Sequence, residues 1–141
     1  MKDNSAAILT EIWNKILLSK SIEVCTEKLQ GIGLLEMKVL KMIYFNPDYK
    51  IKDFIERLGI PNSTLSNVIN RLVKKDLVNR KIDHTDLRSF GLELTSYGKK
   101  AIQEHLAAET SIFEGVLSRL DNDERDGFVK VMRKIADGVN N

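Results

Sequence analysis

The chain has 141 residues, 43% hydrophobic and 30% charged, with a formal net charge of +2. That is ordinary for a soluble globular protein, long enough for one domain with a real core and too short to expect two. A single cysteine excludes an internal disulfide framework and fits a reducing cytoplasm, and neither a membrane-length apolar run nor a signal peptide is present in MKDNS or the lysine-interrupted IWNKILLSK.

A first helix is expected from Ile8, Ile12 and Ile16, with Trp13 and Leu17 beside them, carrying on towards Val24 and Cys25 until Gly31 and Gly33 break it. A second spans Leu34–Phe45, its turns marked by Leu34, Met37, Leu40 and Lys41 or Tyr44, and Asn46-Pro47-Asp48 ends it. The third is short, with Ile51, Phe54, Ile55 and Leu58 at i, i+3, i+4 and i+7 and Gly59 closing it. Only Gly59-Ile60-Pro61 separates it from a fourth, whose stripe of Leu65, Val68, Ile69, Leu72 and Val73 is the cleanest helical period in the chain. Asn62 or Ser63 is its expected N-cap.

After Asp76 the period changes to two. Val78, Arg80 and Ile82 alternate on one run and Phe90, Leu92 and Leu94 on the next, an antiparallel hairpin joined by polar residues 83–89. Thr95 then caps a long helix to about Ser118, and a last helix runs from Asp121 to about Val139 with Phe128, Met132 and Ile135 inward. The order α-α-α-α-β-β-α-α is mainly α with a small β-hairpin wing. It describes a winged helix-turn-helix flanked by helical arms. The expected layout is a single domain over 1–141, with the winged lobe at about 34–94 and dimerisation arms at about 5–30 and 95–139.

The charge is unevenly spread. Residues 50–100 hold eleven Lys or Arg against six Asp or Glu, and no acid lies between Arg57 and Lys75. The fourth helix is the candidate reader of double-stranded DNA. Its outer face carries Thr64, Ser66, Asn67, Asn70, Arg71 and Lys74, after Asn62 and Ser63. A merely solvated face favours Glu, Lys and Gln, since Ser, Thr and Asn cost helix propensity. Short donors and acceptors without acids suit a polyanion, and Asn can bond an adenine edge twice. The loop between the strands then becomes a wing beside this helix. Arg88 near its tip would enter a narrow minor groove, and Asp86 two residues away would hold it extended.

The stretch LGIPNSTLSNVINRLVKKDLVNRKIDHTDLRSFGLELTSYGKKAI resembles the core of the MarR family of bacterial transcriptional regulators. The resemblance rests on Leu58-Gly59-Ile60, Ser63-Thr64-Leu65-Ser66, Arg71-Leu72, Lys75-x-Leu77-Val78, Asp86-x-Arg88-Ser89 and Leu94-Thr95-x-x-Gly98, in the family's order and spacing. It implies a homodimer with a winged helix in each subunit, the fourth helix in the major groove and the wing arginine in the minor groove. Carried over by motif, Ser63, Thr64, Ser66, Asn67, Asn70 and Arg71 fall on the reading helix, and Asp86 and Arg88 on the wing. Two departures stand out. Leu87 replaces a basic residue common among relatives, and Pro61-Asn62 replaces the usual charged start of the helix.

The arms point to dimerisation on their own. Ile8, Ile12, Ile16, Phe113, Val116, Leu117, Phe128 and Met132 would leave apolar surface uncovered on a lone chain, and a two-fold partner would cover it. Trp13 is a candidate contact for a small aromatic effector, although a helical aromatic is more often core. Cys25 invites comparison with thiol-based sensors of the family, but it lies late in its helix, where an inert buried cysteine is the commoner case. Cys25, His84 and His105 show no metal-ligand spacing. No phosphate loop or nucleophile elbow is present, and Asp121, Asp123 and Glu124 read as an acidic first turn, so neither an enzyme nor a cofactor is expected. The expected function is that of a cytoplasmic homodimeric regulator that binds a pseudo-palindromic operator, a repressor relieved by a small molecule. The alternatives are a winged-helix protein-interaction module without DNA binding and a cysteine-based redox sensor.

Overall fold

The structure, a computed structural model, describes residues 3–18, 27–82 and 90–139. Its elements are α1 (Ser5–Leu17), a 3-10 turn at Glu27–Leu29, α2 (Leu34–Phe45), α3 (Ile51–Leu58), α4 (Asn62–Lys74), β1 (Val78–Ile82), β2 (Phe90–Leu94), α5 (Ser96–Leu117) and α6 (Asn122–Val139). The chain forms two compact units, one of residues Cys25–Leu106 and one of Met1–Val24 with Ala107–Asn141.

The first unit holds the hydrophobic core. Val39, Leu40 and Ile43 of α2, Phe54 of α3, and Leu65, Val68, Ile69 and Leu72 of α4 close on Leu77, Val78, Leu92, Ala101 and Ile102. The inward face of α2 is rotated from the one expected. Leu40 is buried, but Leu34 at the helix start is 78% exposed and Val39 and Ile43 take the inner positions. The continuous apolar composition of LLEMKVLKMIYF hides which stripe faces the core, so packing decides it.

Local chemistry sets the joints. The Lys50 amide donates to Asp53 Oδ2 at 2.8 Å, satisfying one orphan donor at the start of α3. Gly59 ends that helix at φ 61 and ψ 35, a left-handed conformation that costs glycine nothing. The helix-turn-helix corner is completed by Pro61 at φ −62 and ψ 152, which is the N-cap of α4 and makes no side-chain capping bond. The expected capping by Asn62 or Ser63 therefore gives way to a proline-set start. Its ring fixes φ directly before the helix, its carbonyl accepts the Leu65 amide at 3.2 Å, and Asn62 and Ser63 are already helical.

The C-terminus of α4 closes with the Leu77 amide donating to the Leu72 carbonyl and the Asp76 amide to that of Val73, both at 3.0 Å. This paired closure needs a left-handed residue at Asp76, which has φ 58. Buried Leu77 and Leu72 complete the motif.

β1 and β2 pair antiparallel with Val78 opposite Leu94, Arg80 opposite Leu92 and Ile82 opposite Phe90, as the period-two pattern requires. Lys50 adds an isolated antiparallel bridge to Gly91, tying the hairpin to the start of α3. The hairpin's apolar face is buried at its root, at Val78 and Leu92, and exposed at Ile82 towards the loop.

Thr95 caps α5 as expected. Its Oγ1 accepts the Gly98 amide at 2.9 Å and donates to the Asp76 carbonyl at 2.5 Å, so one side chain joins the helix start to the end of α4.

In the second unit, α6 starts with a reciprocal cap. Asp121 Oδ1 accepts the Glu124 amide at 2.8 Å and Glu124 Oε1 accepts the Asp121 amide at 3.5 Å. The backbone and side-chain hydrogen bonds with Glu124 hold the Asp121 carboxyl below its usual range. Neither α1 nor α6 has a buried residue. Phe128, Met132 and Ile135, expected to face inward, are exposed on the single chain. Helical periodicity gathers them on a face but cannot say what covers it.

Candidate nucleic-acid interface

α4 presents two faces of opposite character. Leu65, Val68, Ile69 and Leu72 are sealed in the core. Asn62, Ser63, Ser66, Asn67, Asn70, Arg71 and Lys74 are exposed, and Thr64 is half-buried. The inner stripe fixes the helix about its axis, so the polar face is held outward without side-chain ties of its own over the first two turns. Among the described residues, Ser63, Ser66, Asn67 and Lys74 have no side-chain hydrogen bond or ion pair and are available to a partner.

The last turns differ. Arg71 Nε donates to Glu36 Oε1 at 2.6 Å, and the same carboxylate accepts the Gly33 amide at 3.2 Å through Oε2. The Glu36 side chain is 9% exposed and that of Arg71 56%, so a nearly buried acid on α2 anchors an arginine that still reaches solvent. A buried carboxylate needs such partners, and these two supply them. One residue turn further on, Lys75 Nζ donates to the Gly31 carbonyl at 3.2 Å. Both cations bind the segment that precedes and starts α2.

Asn70 is engaged from the other side. Arg80, on β1, donates from Nη2 to Asn70 Oδ1 at 2.5 Å. The wing root and the reading face are thus one connected surface. Neither Glu36 nor Arg80 was among the residues expected to shape this face. Glu36 reads in sequence as a dipole-favoured acid in a helix's first turn. Arg80 reads in sequence only as the polar member of the strand's alternation between Val78 and Ile82.

Asp86 and Arg88 fall in residues 83–89, outside the described residues, as do Cys25 and His84. Trp13, on α1 in the other unit, is 59% exposed. His105 is buried. Among the described residues no group of three or more His, Cys, Asp or Glu is placed to hold a metal ion, and no helix is long and apolar enough to cross a membrane.

This architecture is shared with known regulators. The MarR family model matches residues 32–90. The transcriptional repressor YetL of Bacillus subtilis is 26% identical over 106 residues, covering 72% of this chain and 64% of YetL, so the match spans just under two thirds of that relative. A MarR-like transcriptional regulator from Thermotoga maritima superposes with a TM-score of 0.80 at 20% identity, covering 99% of each chain. Streptococcus pneumoniae FabT, in a crystal structure in complex with DNA, superposes with a TM-score of 0.79 at 20% identity, covering 97% of this chain and 96% of FabT. At such identities the superpositions show the fold, a winged helix-turn-helix with helical arms.

Proposed function

We propose that the chain, whose residues 32–90 match the MarR family model, is a transcriptional regulator of that family rather than an enzyme, and that it binds double-stranded DNA sequence-specifically as a homodimer and represses transcription. The observation that carries this reading is the outer face of α4. It is free of acids from Asn62 to Lys74, holds unengaged Ser63, Ser66 and Asn67, and stands on a sealed inner stripe. In the major groove that face offers hydrogen-bonding groups to base edges and Lys74 to phosphate. Arg88 of the wing would enter the adjacent minor groove with Asp86 holding it extended, the role implied by Asp86-x-Arg88-Ser89.

Homodimerisation is supported by the arms, where Ile8, Ile12 and Trp13 of α1 and Phe128, Met132 and Ile135 of α6 are all exposed on one chain. Soluble monomers rarely leave so much apolar surface uncovered. A two-fold dimer would read a pseudo-palindromic operator with half-sites about one helical turn, roughly 10 bp, apart. The exposed Trp13 ring offers a face for a small aromatic effector whose binding would lower DNA affinity. Selection of bound fragments from the source genome tests this reading. Enrichment of a palindromic sequence supports it, and enrichment of nothing above bulk DNA points instead to a winged-helix module that binds protein.

A further inference from the structure

The Arg80–Asn70 contact has a consequence for which base α4 can read. An asparagine recognises adenine with both ends of its amide, Oδ1 accepting from N6 and Nδ2 donating to N7. Here one lone pair of Oδ1 is taken by the Arg80 guanidinium at 2.5 Å. A guanidinium only donates, so it orients the amide, with oxygen towards β1 and the NH2 group left for a partner. Both residues are exposed, so the pair lies on the surface that would face a ligand. Arg80 itself is anchored by the ladder, opposite Leu92, which is buried. Asn67, one turn earlier on α4, has no such tie among the described residues and keeps both ends of its amide.

We infer that Arg80 is a positioning residue for base recognition: it turns the Asn70 oxygen towards β1, so that Asn70 leads with its NH2 group and selects guanine over adenine. Guanine presents two acceptors, O6 and N7, to the leading NH2 group, whereas adenine's amine must reach the second lone pair of an Oδ1 that Arg80 turns towards β1. The two asparagines of α4 therefore read differently, Asn67 retaining adenine recognition and Asn70 biased towards guanine.

This inference rests on the DNA-binding reading above, and the test separates the two. Operator variants carrying every base at each half-site position are titrated with wild type, Asn70→Ala, Arg80→Met and Arg80→Lys, with thermal melts showing that each variant is folded. The position at which Asn70→Ala flattens the preference is the one Asn70 faces. Wild type is expected to favour guanine over adenine there, by on the order of tenfold. Arg80→Met should move that single preference towards adenine, while Arg80→Lys, which still donates, should keep guanine. A wild-type preference for adenine at that position would overturn the inference. So would Arg80→Met weakening all operators equally, or Asn70→Ala flattening no position. If wild type selects no DNA sequence at all, the regulator reading itself fails, and this inference with it.

Discussion

A Cβ built on Gly98 would lie 2.0 Å from the carbonyl oxygen of Leu77, closer than any side chain can approach backbone. The same carbonyl accepts the Thr95 amide at 3.1 Å, and Thr95 Oγ1 accepts the amide of Gly98. The Leu94-Thr95-x-x-Gly98 motif is therefore a docking joint. Threonine caps α5 and glycine lets the helix start press against the strand root.

Gly98→Ala should force α5 away from Leu77 and destabilise the fold by about 3 kcal/mol, at the upper end of overpacking costs. Urea denaturation measures this. A loss below about 0.5 kcal/mol would mean that the joint yields freely.

Asp76 pays for the closure of α4 in the left-handed region at φ 58. Among the described residues, no side-chain hydrogen bond or ion pair of Asp76 would be lost on mutation. Asp76→Gly should consequently stabilise the protein, by up to about 1 kcal/mol, since glycine's greater unfolded-state entropy offsets part of the relief. A higher denaturation midpoint at unchanged slope is the expected outcome.

Arg71 and Asn67 stand one turn apart on α4 yet should fail in different ways. Arg71→Ala removes the ion-pair partner of Glu36, leaving a nearly buried carboxylate with only the Gly33 amide. Stability should fall by about 2 kcal/mol, less than for a fully buried pair because Arg71 is half in water. Asn67→Ala should leave stability within about 0.5 kcal/mol while abolishing discrimination at one base pair. Thermal melts and operator titrations on the two variants separate the roles.

Assembly is checked by light scattering, which should give twice the 16.1 kDa chain mass at micromolar concentration. Replacing Met132 and Ile135 together by Glu should yield monomers, because charges on an apolar interface are desolvated without partners. A well-folded wild-type monomer that still binds a full operator would contradict the dimer.

Much of this fold was legible in the sequence because its elements have clean periods. The stripe Leu65, Val68, Ile69, Leu72 located α4, and the alternation in Val78–Ile82 and Phe90–Leu94 located the two strands of the wing. Three features were not legible, each for a physical reason. The inward face of α2 was hidden by apolar residues on all sides. The start of α4 was set by the φ of Pro61 rather than by a side-chain cap. The partners of Asn70 and Arg71 come from elsewhere in the chain, Arg80 and Glu36, and no local spacing announces such pairs. The outer face of α4 is exposed as expected except at half-buried Thr64, but only the structure divides it into unengaged residues, Ser63, Ser66 and Asn67, and two that are already bonded.

A salt-dependent titration of a genome-selected operator against a scrambled duplex asks whether α4 reads DNA. Tighter binding to the operator is expected, with a log-linear fall of affinity with salt, since Lys74 and its neighbours displace counterions. Asn67→Ala should narrow the gap between operator and scrambled affinities by the share of one base pair while barely changing the salt slope. Equal affinity of the wild type for both duplexes, or an operator preference that survives Asn67→Ala, Asn70→Ala and Ser66→Ala combined in a folded protein, would contradict DNA reading by α4.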